Sequence, residues 1–340
     1  MNPIQIIAER DYKVTFTEDW YERLSEVLSG RRFIVITQQS LLKRISQRFT
    51  TGPVIVTPDG ETQKNLQTFT QIINQLPAHN LDRNSVIVGI GGGATTDFAG
   101  FLAATYLRGI DWIGVPTTVA GMVDASIGGK TGLNLEAGKN LVGSFHSPVE
   151  VIVDLSWLET LSSRDLTAGL AESLKCGFIK DLGLLDLFQD GYEKNLTEII
   201  YRSIQVKADV VSSDFRETYK REVLNYGHTL GHAIEKHSDF NLRHGESIAI
   251  GMVFAAEIAH SLGTLSEDEV GLHYRLVADL GLPISYLKEV WASLLLHMAN
   301  DKKRKTSAIR FVTLTGLGNP ARTEVPDEVL KKIYLEKIGR

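Results

Sequence analysis

Residues 221–232 read Arg-Glu-Val-Leu-Asn-Tyr-Gly-His-Thr-Leu-Gly-His, and the triplet His244-Gly245-Glu246 follows them in the chain. His228 and His232 are four residues apart, so on a helix they lie on the same face. Neutral imidazole is the commonest metal ligand in proteins, and His244 can return from a following loop to join the pair. Two half-buried core histidines explain the pair alone equally well. A metal site here therefore requires a carboxylate or a third nitrogen to complete it.

The composition is that of an ordinary globular protein. At 340 residues the chain is long for one hydrophobic core and has room for two domains. A net charge of −5, without a dominant basic block, argues against nucleic acid as the main partner. The single cysteine, Cys176, excludes an intrachain disulfide and is typical of a reducing compartment. We see neither a signal-peptide pattern nor an apolar run of membrane-spanning length, so we expect a cytoplasmic protein without a membrane partner.

Strand and helix patterns alternate in the first half of the chain. Short β-branched runs occur at residues 33–37, 54–56 and 86–90, and polar periodic stretches at 40–49 and 62–76 predict surface helices between them. This alternation predicts a parallel sheet with ligands at the carboxyl ends of its strands.

Helical patterns take over after about residue 160, and a short pair of strands is predicted around 309–314. The clearest helical stretches are 166–180, 196–213 and 248–261. The chain is therefore predicted to contain an α/β domain of the nucleotide-binding type followed by a mainly helical domain.

A glycine-rich segment follows the third predicted strand. Residues 89–97 read Gly-Ile-Gly-Gly-Gly-Ala-Thr-Thr-Asp and lead into an apolar helix, a combination that favours a bound phosphate. The match to the loose dinucleotide pattern, at Gly89, Gly91 and Ala94, is weak because that pattern normally follows the first strand. This segment and a second polar loop at 59–64 can hold a dinucleotide from two sides. A tight turn is the alternative for the first, and a surface turn is the better interpretation of the second in isolation.

A longer glycine-rich region covers residues 115–148. It contains six glycines and two lysines, which bring backbone amides and ammonium groups near one place. Such a loop is expensive in conformational entropy and poorly suited to core packing. A phosphate or phosphorylated sugar is the ligand that it favours over a purely structural loop.

Several short blocks occur in a fixed order along almost the whole chain. They are Gly91-Gly-Gly-x-x-x-Asp97, Gly100-Phe-x-Ala-Ala-x-Tyr-x-Arg-Gly109, Pro116-Thr-Thr to Gly143-x-Phe-x-x-Pro148, Gly169-Leu-Ala-Glu172-x-x-Lys175, Arg221-x-x-Leu-Asn225-x-Gly-His228-Thr-x-Gly-His232-Ala-x-Glu235, His244-Gly-Glu and Asp301-Lys-Lys303. In these blocks the sequence resembles the 3-dehydroquinate synthases, a family of sugar-phosphate cyclases. The resemblance implies a homodimer with an α/β Rossmann-like N-terminal domain, residues 1–160, that binds NAD on a parallel sheet. It also implies a mainly α-helical C-terminal metal-binding domain, residues 161–340.

The resemblance supplies the carboxylate that the histidine cluster lacks. In that family the metal is held by the Glu of the Ala-Glu-x-x-Lys helix, the first His of His-x-x-x-His and the His of His-Gly-Glu. These are Glu172, His228 and His244 in this sequence. Zinc is the expected ion, with cobalt as the alternative, and the set leaves open positions for substrate. His232 is then off the metal.

The resemblance also implies the binding and catalytic positions. Those expected to bind NAD are Asp59, Gly60, Glu61, Thr62, Gln63, Lys64, Gly93, Ala94, Thr95, Thr96, Asp97, Thr117, Thr118, Lys130, Lys139, Trp157, Leu158, Glu159 and Thr160. Those expected to bind substrate are Arg108, Asp124, Lys130, Asn140, Lys175, Lys207, Arg221, Asn225, His232, Lys302 and Lys303. Those expected to act in catalysis are His232, Glu217, Lys175, Arg221 and Asn225.

Three further points qualify these assignments. A solvated basic face is the alternative for residues 301–305. Many relatives carry two leucines where this chain has Val119-Ala120, and some carry a polar Asn at the position of Ala168. The last two departures concern the NAD pocket and leave the metal ligands in place.

The implied reaction converts 3-deoxy-D-arabino-heptulosonate 7-phosphate (DAHP) to 3-dehydroquinate and phosphate. NAD removes a hydride, phosphate is eliminated, the hydride returns, and an internal aldol step closes the ring. Cyclases that act on sedoheptulose 7-phosphate or glucose 6-phosphate are one alternative, but those substrates lack the carboxylate with which Arg221, Asn225 and the 301–303 lysines are associated. A dehydrogenase of the glycerol dehydrogenase type would leave the lysine-rich 124–140 segment unexplained. A non-enzymatic module is disfavoured because structural zinc sites usually have four protein ligands.

Overall fold

The computed structural model describes residues 1–49, 53–216, 218, 220–301 and 308–340. The chain divides into two compact units. The first comprises Met1–Leu161 and Lys207–Glu217, and the second comprises Ser162–Val206 and Thr218–Arg340.

The segment Lys207–Glu217 groups with the first unit, although the sequence alone assigns it to the helical part of the chain. The ammonium group of Lys207 pairs with Asp124. Nearby, the Ile7 N–H donates to the Ser212 hydroxyl at 2.9 Å. Helical periodicity describes only the local backbone, so it does not reveal which unit a helix contacts.

A seven-stranded sheet forms the framework of the first unit. The strands of this unit are β1 (Ile4–Ile6), β2 (Tyr12–Phe16), β3 (Phe33–Gln38), β4 (Val54–Thr57), β5 (Val86–Gly91), β6 (Asp111–Pro116), β7 (Lys130–Leu135), β8 (Gly138–Phe145) and β9 (Glu150–Val153). The sheet order is β1-β2-β9-β6-β5-β3-β4, with β1 antiparallel to β2 and every other pair parallel. The predicted parallel sheet is thus confirmed, with the three β-branched runs as β3, β4 and β5.

The helices of the first unit follow these strands. They are α1 (Trp20–Leu28), α2 (Leu42–Ser46), α3 (Leu66–Ile73) and α4 (Gly93–Thr105). The helices predicted at 40–49 and 62–76 are present as the shorter α2 and α3. Asn65 is the N-cap of α3, and its side chain accepts the Thr68 N–H at 2.8 Å. The hydrophobic periodicity of this stretch does not predict that the helix begins here.

The packing of α4 against β5 positions the glycine-rich turn. All six residues of β5 are buried, as expected for a central strand of a covered parallel sheet. A Cβ at Gly89 would lie 2.7 Å from the Cβ of Ala99, so glycine at this position lets α4 pack directly on the strand. Phe98 and Leu102 of α4 are fully buried, and each burial of this kind stabilises the fold by about 1.5–3 kcal/mol.

The second unit is mainly helical, as predicted. Its helices are α5 (Ser163–Ile179), α6 (Leu182–Gln189), α7 (Tyr192–Ser213, whose last turns belong to the first unit), α8 (His228–His237), α9 (His244–Ser261), α10 (Glu267–Asp279), α11 (Trp291–Asp301) and α12 (Asp327–Ile333). Two antiparallel strands, β10 (Ala308–Leu314) and β11 (Pro320–Pro326), form a hairpin where the strand pair was expected.

Helix α9 is the centre of the second unit. Every residue from 245 to 259 is buried, most of them apolar, so the helix is covered on all sides by its neighbours. Within the described ranges, none of the helices combines the length and apolar character needed to cross a membrane.

Candidate active site

Three potential metal ligands converge in the second unit. Glu172 lies in α5, and His228 and His244 are the first residues of α8 and α9. The Oε1 atom of Glu172 lies 3.6 Å from Nε2 of His228 and 3.2 Å from Nε2 of His244. One ligand atom from each residue falls within 4.8 Å of the others. The structure thus brings together the three residues that the resemblance names.

Glycines bring the helices that carry these ligands close together. A Cβ at Gly245 would lie 1.7 Å from the carbonyl oxygen of Ala168 in α5. A Cβ at Gly251 would lie 1.9 Å from the carbonyl oxygen of Gly227, which precedes α8. Real side chains do not tolerate such distances, so α9 can approach α5 and α8 this closely only with glycine at both crossings.

Ion pairs fix the start of α9. The guanidinium of Arg164 donates to both carboxylate oxygens of Glu246, at 2.5 and 2.8 Å. Glu246 also accepts the backbone N–H of Arg243 at 2.9 Å, and the Arg243 side chain pairs with Asp165. These contacts hold the backbone on either side of His244, so its ring is presented from a rigid helix end.

The charges of the three ligands are set by their neighbours. Burial would raise the pKa of Glu172, but Lys175, His228 and His244 outweigh it and hold that pKa well below its usual range. Burial, with help from Lys175, lowers the pKa of His228 well below its usual range. Burial opposes protonation of His244 as well, yet its contacts with Glu172 and Glu235 raise its pKa to about 10. The cluster therefore combines the ionised carboxylate of Glu172 with the neutral imidazole of His228. The imidazole of His244 lies between two carboxylates that favour a positive charge on it.

The residues present fit a zinc-type ion. The side chain of Glu172 is 2% exposed, and Lys175 pairs with its Oε2 atom. Its buried Oε1 atom has no hydrogen-bond partner of acceptable geometry among the described residues, although two ring nitrogens face it. One carboxylate oxygen and two imidazole nitrogens are the donor set of a catalytic zinc site, with a position left open.

Each ligand histidine has its second ring nitrogen held by an acceptor. Nδ1 of His228 lies 3.0 Å from the carbonyl oxygen of Tyr226. Nδ1 of His244 lies 3.1 Å from Oε2 of Glu235. With Nδ1 donating, Nε2 is the nitrogen of each ring that can bind a metal in place of a proton. The role of Glu235 was not recognised from the sequence, although its position seven residues after His228 places it on the same face of α8.

The proposed catalytic residues lie around this cluster. His232 is exposed, and its ring centroid lies 5.1 Å from that of His228 and 5.9 Å from that of His244. Arg221 is 2% exposed in a short 3₁₀ helix, Lys220–Asn225, that also contains Asn225. The predicted residues Glu217, Lys302 and Lys303 lie outside the described residues.

The short helix that carries Arg221 is anchored to the β10–β11 hairpin. Its Glu222 accepts from Arg310 at 3.0 Å and from Arg322 at 2.9 Å. A carboxylate that binds two guanidinium groups therefore holds this short helix, and Arg221 with it, against the hairpin. The sequence did not indicate this anchor, because the two arginines lie far along the chain.

The two loops predicted to bind a dinucleotide lie side by side in the first unit. Gln63, in the 3₁₀ turn Gly60–Gln63 after β4, donates to the Thr95 hydroxyl at 3.1 Å. Thr95 is in the first turn of α4, where Gly92 and Gly93 leave the helix N-terminus open to an anion. A Cβ at Gly91 would lie 2.4 Å from the Thr95 hydroxyl oxygen, so this turn requires glycine.

Lys64 bonds to Asp97, a predicted NAD position, and to Asn140, a predicted substrate position. Its ammonium group is 2.8 Å from Oδ2 of Asp97 and 2.5 Å from Oδ1 of Asn140. Burial lowers the pKa of Lys64, but the carboxylates of Asp97 and Glu61 outweigh it and raise that pKa. The lysine is therefore a fixed positive charge beside the turn that starts α4.

The glycine-rich region from 115 to 148 differs in part from the expected loop. Its second half is the β7–β8 hairpin, which carries Lys130, Lys139 and Asn140. A Cβ at Gly132 or Gly143 would lie 2.9 Å or less from a backbone oxygen of the opposite strand. These two glycines are thus required by strand pairing, and the expectation that the region avoids the core is wrong for Leu133, which is fully buried.

The remaining predicted NAD and substrate positions of the first unit lie in turns and short helical segments. Thr117 and Thr118 follow β6, and Asp124 lies in a π-helical turn, Gly121–Ala125. Arg108 is exposed just after α4, where it and Leu107 both have positive φ angles of 68° and 50°. Such backbone strain is concentrated at functional sites.

The segment 157–160 divides into a buried and an exposed half. The ring of Trp157 is fully buried, 5.3 Å from that of Trp20, with the guanidinium of Arg44 at 4.8 Å. Leu158 is also buried, whereas Glu159 and Thr160 are exposed. The exposed side chains of this predicted NAD segment are therefore those of its last two residues.

Comparison with known proteins gives one consistent family. Residues 54–168 match the family model described as 3-dehydroquinate synthase N-terminal, and residues 169–304 match the one described as 3-dehydroquinate synthase C-terminal. A curated 3-dehydroquinate synthase from Arthrobacter sp. (strain FB24) is 43% identical over 95% of this chain and 93% of its own length.

Two solved structures share the fold over nearly the full length. One is 2-deoxy-scyllo-inosose synthase complexed with carbaglucose-6-phosphate, NAD⁺ and Co²⁺, with a TM-score of 0.86, 29% identity and coverage of 99% of this chain and 100% of the other. The second is ValA, a 2-epi-5-epi-valiolone synthase from Streptomyces hygroscopicus subsp. jinggangensis 5008 with NAD⁺ and Zn²⁺ bound. Its TM-score is 0.88 and its identity 26%, with 98% of each chain covered.

Proposed function

The chain belongs to the 3-dehydroquinate synthase family, and we propose that it is an NAD- and zinc-dependent phosphate-eliminating lyase that converts DAHP to 3-dehydroquinate and phosphate. Identity of 43% over almost the full length of a curated synthase supports this activity. The observation that carries the proposal is the convergence of Glu172, His228 and His244 on one point. This activity places the protein in the shikimate pathway, which leads to the aromatic amino acids.

Glu172, His228 and His244 are the proposed metal ligands. The metal-containing relatives were solved with Co²⁺ or Zn²⁺, and one oxygen with two nitrogens suits either ion. When bound, such an ion acidifies a secondary alcohol, and NAD takes up and returns a hydride within one turnover. Lys175 keeps Glu172 ionised by pairing with its second oxygen.

The proposed substrate contacts are matched to a doubly anionic sugar acid. DAHP carries a carboxylate and a phosphate, so its binding requires several cations. Arg221 and Asn225 share the short helix that Glu222 anchors, which is a rigid base for holding a carboxylate. His232 is exposed beside the ligand cluster, and we assign it a proton-transfer role together with Glu217.

The proposed NAD site is in the first unit. The start of α4 offers backbone N–H groups to a pyrophosphate, and the 3₁₀ turn after β4 lies next to it through the contact of Gln63 with Thr95. Lys64 adds a positive charge at the same place. These groups support the predicted NAD positions 59–64 and 93–97.

Cyclases that use substrates without a carboxylate are the second candidate. The two solved relatives are a 2-deoxy-scyllo-inosose synthase at 29% identity and a 2-epi-5-epi-valiolone synthase at 26%, whereas the curated 3-dehydroquinate synthase is 43% identical. The presence of Arg221 and Asn225 also favours a substrate with a carboxylate. A dehydrogenase that releases NADH would not need these groups.

A phosphate-release assay tests the proposal. The protein is supplied with catalytic NAD and zinc, and DAHP is compared with sedoheptulose 7-phosphate. We expect stoichiometric phosphate from DAHP with no net NADH. Release from sedoheptulose 7-phosphate alone would assign the chain to another cyclase activity, and accumulation of NADH would indicate a dehydrogenase.

We also propose that the protein is a cytoplasmic homodimer, as the resemblance predicts. Sedimentation equilibrium of the purified chain tests the dimer, with a mass of twice 37.6 kDa as the expected result. A single species of 37.6 kDa at micromolar concentration would contradict it.

A further inference from the structure

Both ring nitrogens of His244 face carboxylates. Its Nε2 atom lies 3.2 Å from Oε1 of Glu172, and its Nδ1 atom lies 3.1 Å from Oε2 of Glu235. Glu235 is 4% exposed, so its charge has little contact with solvent. A carboxylate is buried at this depth only where a partner compensates for the lost hydration.

The position of Glu235 follows from helix geometry. It is three residues after His232 and seven after His228, so all three side chains lie on one face of α8. Their common face meets the first turn of α9, which begins with His244. His228 differs from His244 because its Nδ1 atom faces a neutral acceptor, the carbonyl oxygen of Tyr226.

We propose that Glu235 is a positioning residue for the metal: it accepts the Nδ1 proton of His244 and thereby aims the Nε2 lone pair of that ring at the ion. This inference rests on the proposed metal site of Glu172, His228 and His244. An ionised acceptor on Nδ1 fixes the tautomer and the ring orientation, and it makes Nε2 a stronger donor to the metal. The site therefore has one imidazole strengthened by a charge and one supported by a neutral carbonyl.

Direct metal binding by Glu235 is the competing interpretation. His232, Glu235 and His244 also offer ligand atoms within 4.8 Å of one another. The 3.1 Å separation of Nδ1 from Oε2 is that of a hydrogen bond. His232, the third member of that group, is exposed, so the geometry favours a supporting role for Glu235.

Metal titration of purified full-length variants tests the inference. The metal-free protein is titrated with Zn²⁺ in competition with a chromophoric chelator, and with Co²⁺ to record its visible spectrum. Glu235→Gln keeps the shape of the side chain and removes its charge, whereas Glu235→Ala removes the acceptor altogether. Glu257→Gln is the matched control, since Glu257 is a buried carboxylate of α9 that accepts from Tyr274 instead of a ligand.

For Glu235→Gln we expect one zinc ion per chain, bound about 10–100-fold more weakly than by the wild type, and a changed Co²⁺ spectrum. The melting temperature of its metal-free form should match that of Glu257→Gln, and Glu257→Gln should bind zinc like the wild type. Equal zinc affinity and an unchanged Co²⁺ spectrum in Glu235→Gln would overturn the inference. So would two ions in the wild type and one in Glu235→Gln, because Glu235 would then be a ligand.

Glu172→Gln separates this inference from the proposed metal site. If that variant retains wild-type zinc affinity, the ligand assignment itself fails. If it loses zinc while Glu235→Gln does not weaken binding, the ligands stand and the role of Glu235 is wrong.

Discussion

Gly245, the second residue of helix α9, lies directly against the carbonyl oxygen of Ala168, so closely that a Cβ on residue 245 would lie 1.7 Å from that oxygen. Ala168 is one helical turn before Glu172, and Gly245 is next to His244. This single crossing therefore sets the distance between two of the three proposed metal ligands. The residue that permits the crossing has no side chain with which to bind a metal.

Gly245→Ala should separate α5 from α9. The new methyl group must displace backbone, so we expect a loss of about 1–3 kcal/mol in the free energy of unfolding and at least 10-fold weaker zinc binding. Gly271→Ala in α10 is the matched control, because its Cβ would meet only the flexible end of Arg275 at 3.2 Å. That control should be neutral or stabilising by up to about 1 kcal/mol. Unchanged zinc binding in Gly245→Ala would contradict the argument.

Removal of a metal ligand should abolish tight zinc binding and turnover together. A site with three protein ligands has none to spare, so Glu172→Gln and His228→Ala are both expected to lose the ion. His237→Gln, on the same helix as His228 but bonded to the Tyr286 hydroxyl, should retain it. Metal content and phosphate release are measured on the same preparations. Normal zinc with full activity in either ligand variant would refute the assignment.

His273 should make the stability of the protein depend on pH. It is fully buried, stacks on Phe178, and lies 2.9 Å from the Tyr226 hydroxyl, and burial lowers its pKa to about 4. Between about pH 6.5 and 4 the unfolded chain binds a proton that the folded chain does not. The free energy of unfolding therefore decreases as the pH is lowered through this range. The expected slope from this residue is about 1.4 kcal/mol per pH unit.

Urea unfolding of the wild type and of His273→Gln at several pH values measures this contribution. Glutamine can still accept from Tyr226 but does not titrate in this range. The stability difference between the two proteins should shrink as the pH falls from 7 to about 4. A difference that stays constant over this range would show that His273 does not titrate as described.

Arg221→Ala should impair the use of DAHP. Loss of one charge-assisted contact to the substrate carboxylate corresponds to about 1.5–3 kcal/mol, or roughly 10–150-fold in kcat/KM. Arg275→Ala, an exposed arginine of α10, is the control and should be neutral. Melting temperatures verify that both variants fold. Unchanged kcat/KM in Arg221→Ala would remove the main argument for a substrate with a carboxylate.

Lys64→Met should weaken NAD binding and destabilise the first unit. Lys64 is 3% exposed and paired with Asp97, so its loss leaves a half-buried carboxylate without its cation, at about 1–3 kcal/mol. We expect at least a 10-fold higher Kd for NAD by fluorescence titration, and unchanged zinc affinity. Lys43→Met, at an exposed position in α2, should alter neither quantity. Normal NAD affinity in Lys64→Met would argue against the predicted dinucleotide site.

Local patterns predicted much of the fold. Three β-branched runs became β3, β4 and β5 because such side chains suit a central strand covered on both sides. The helical stretches of the second half became α5, α7 and α9 for a similar reason, since their periodicity describes a buried helix face. Motifs in a fixed order also identified the family, which the comparisons confirm.

Local sequence patterns did not predict several contacts that shape the site. The region 115–148 was expected to be a loop, yet half of it is a hairpin whose glycines serve strand pairing. The anchor of Arg221 comes from arginines of β10 and β11, and the support of His244 comes from Glu235. Local periodicity shows none of these contacts, and the arginines that bind Glu222 also lie far from it along the chain.

The sequence by itself determined which residues share a helix face, such as His228 and His232, because that relation depends only on the 3.6-residue period of the backbone. Tertiary structure alone decided how near Glu172 stands to His244 and that Glu235 reaches the same ring. Those distances are set where helices cross, at contacts such as Gly245 with Ala168, and the closeness of two helices depends on both surfaces at once.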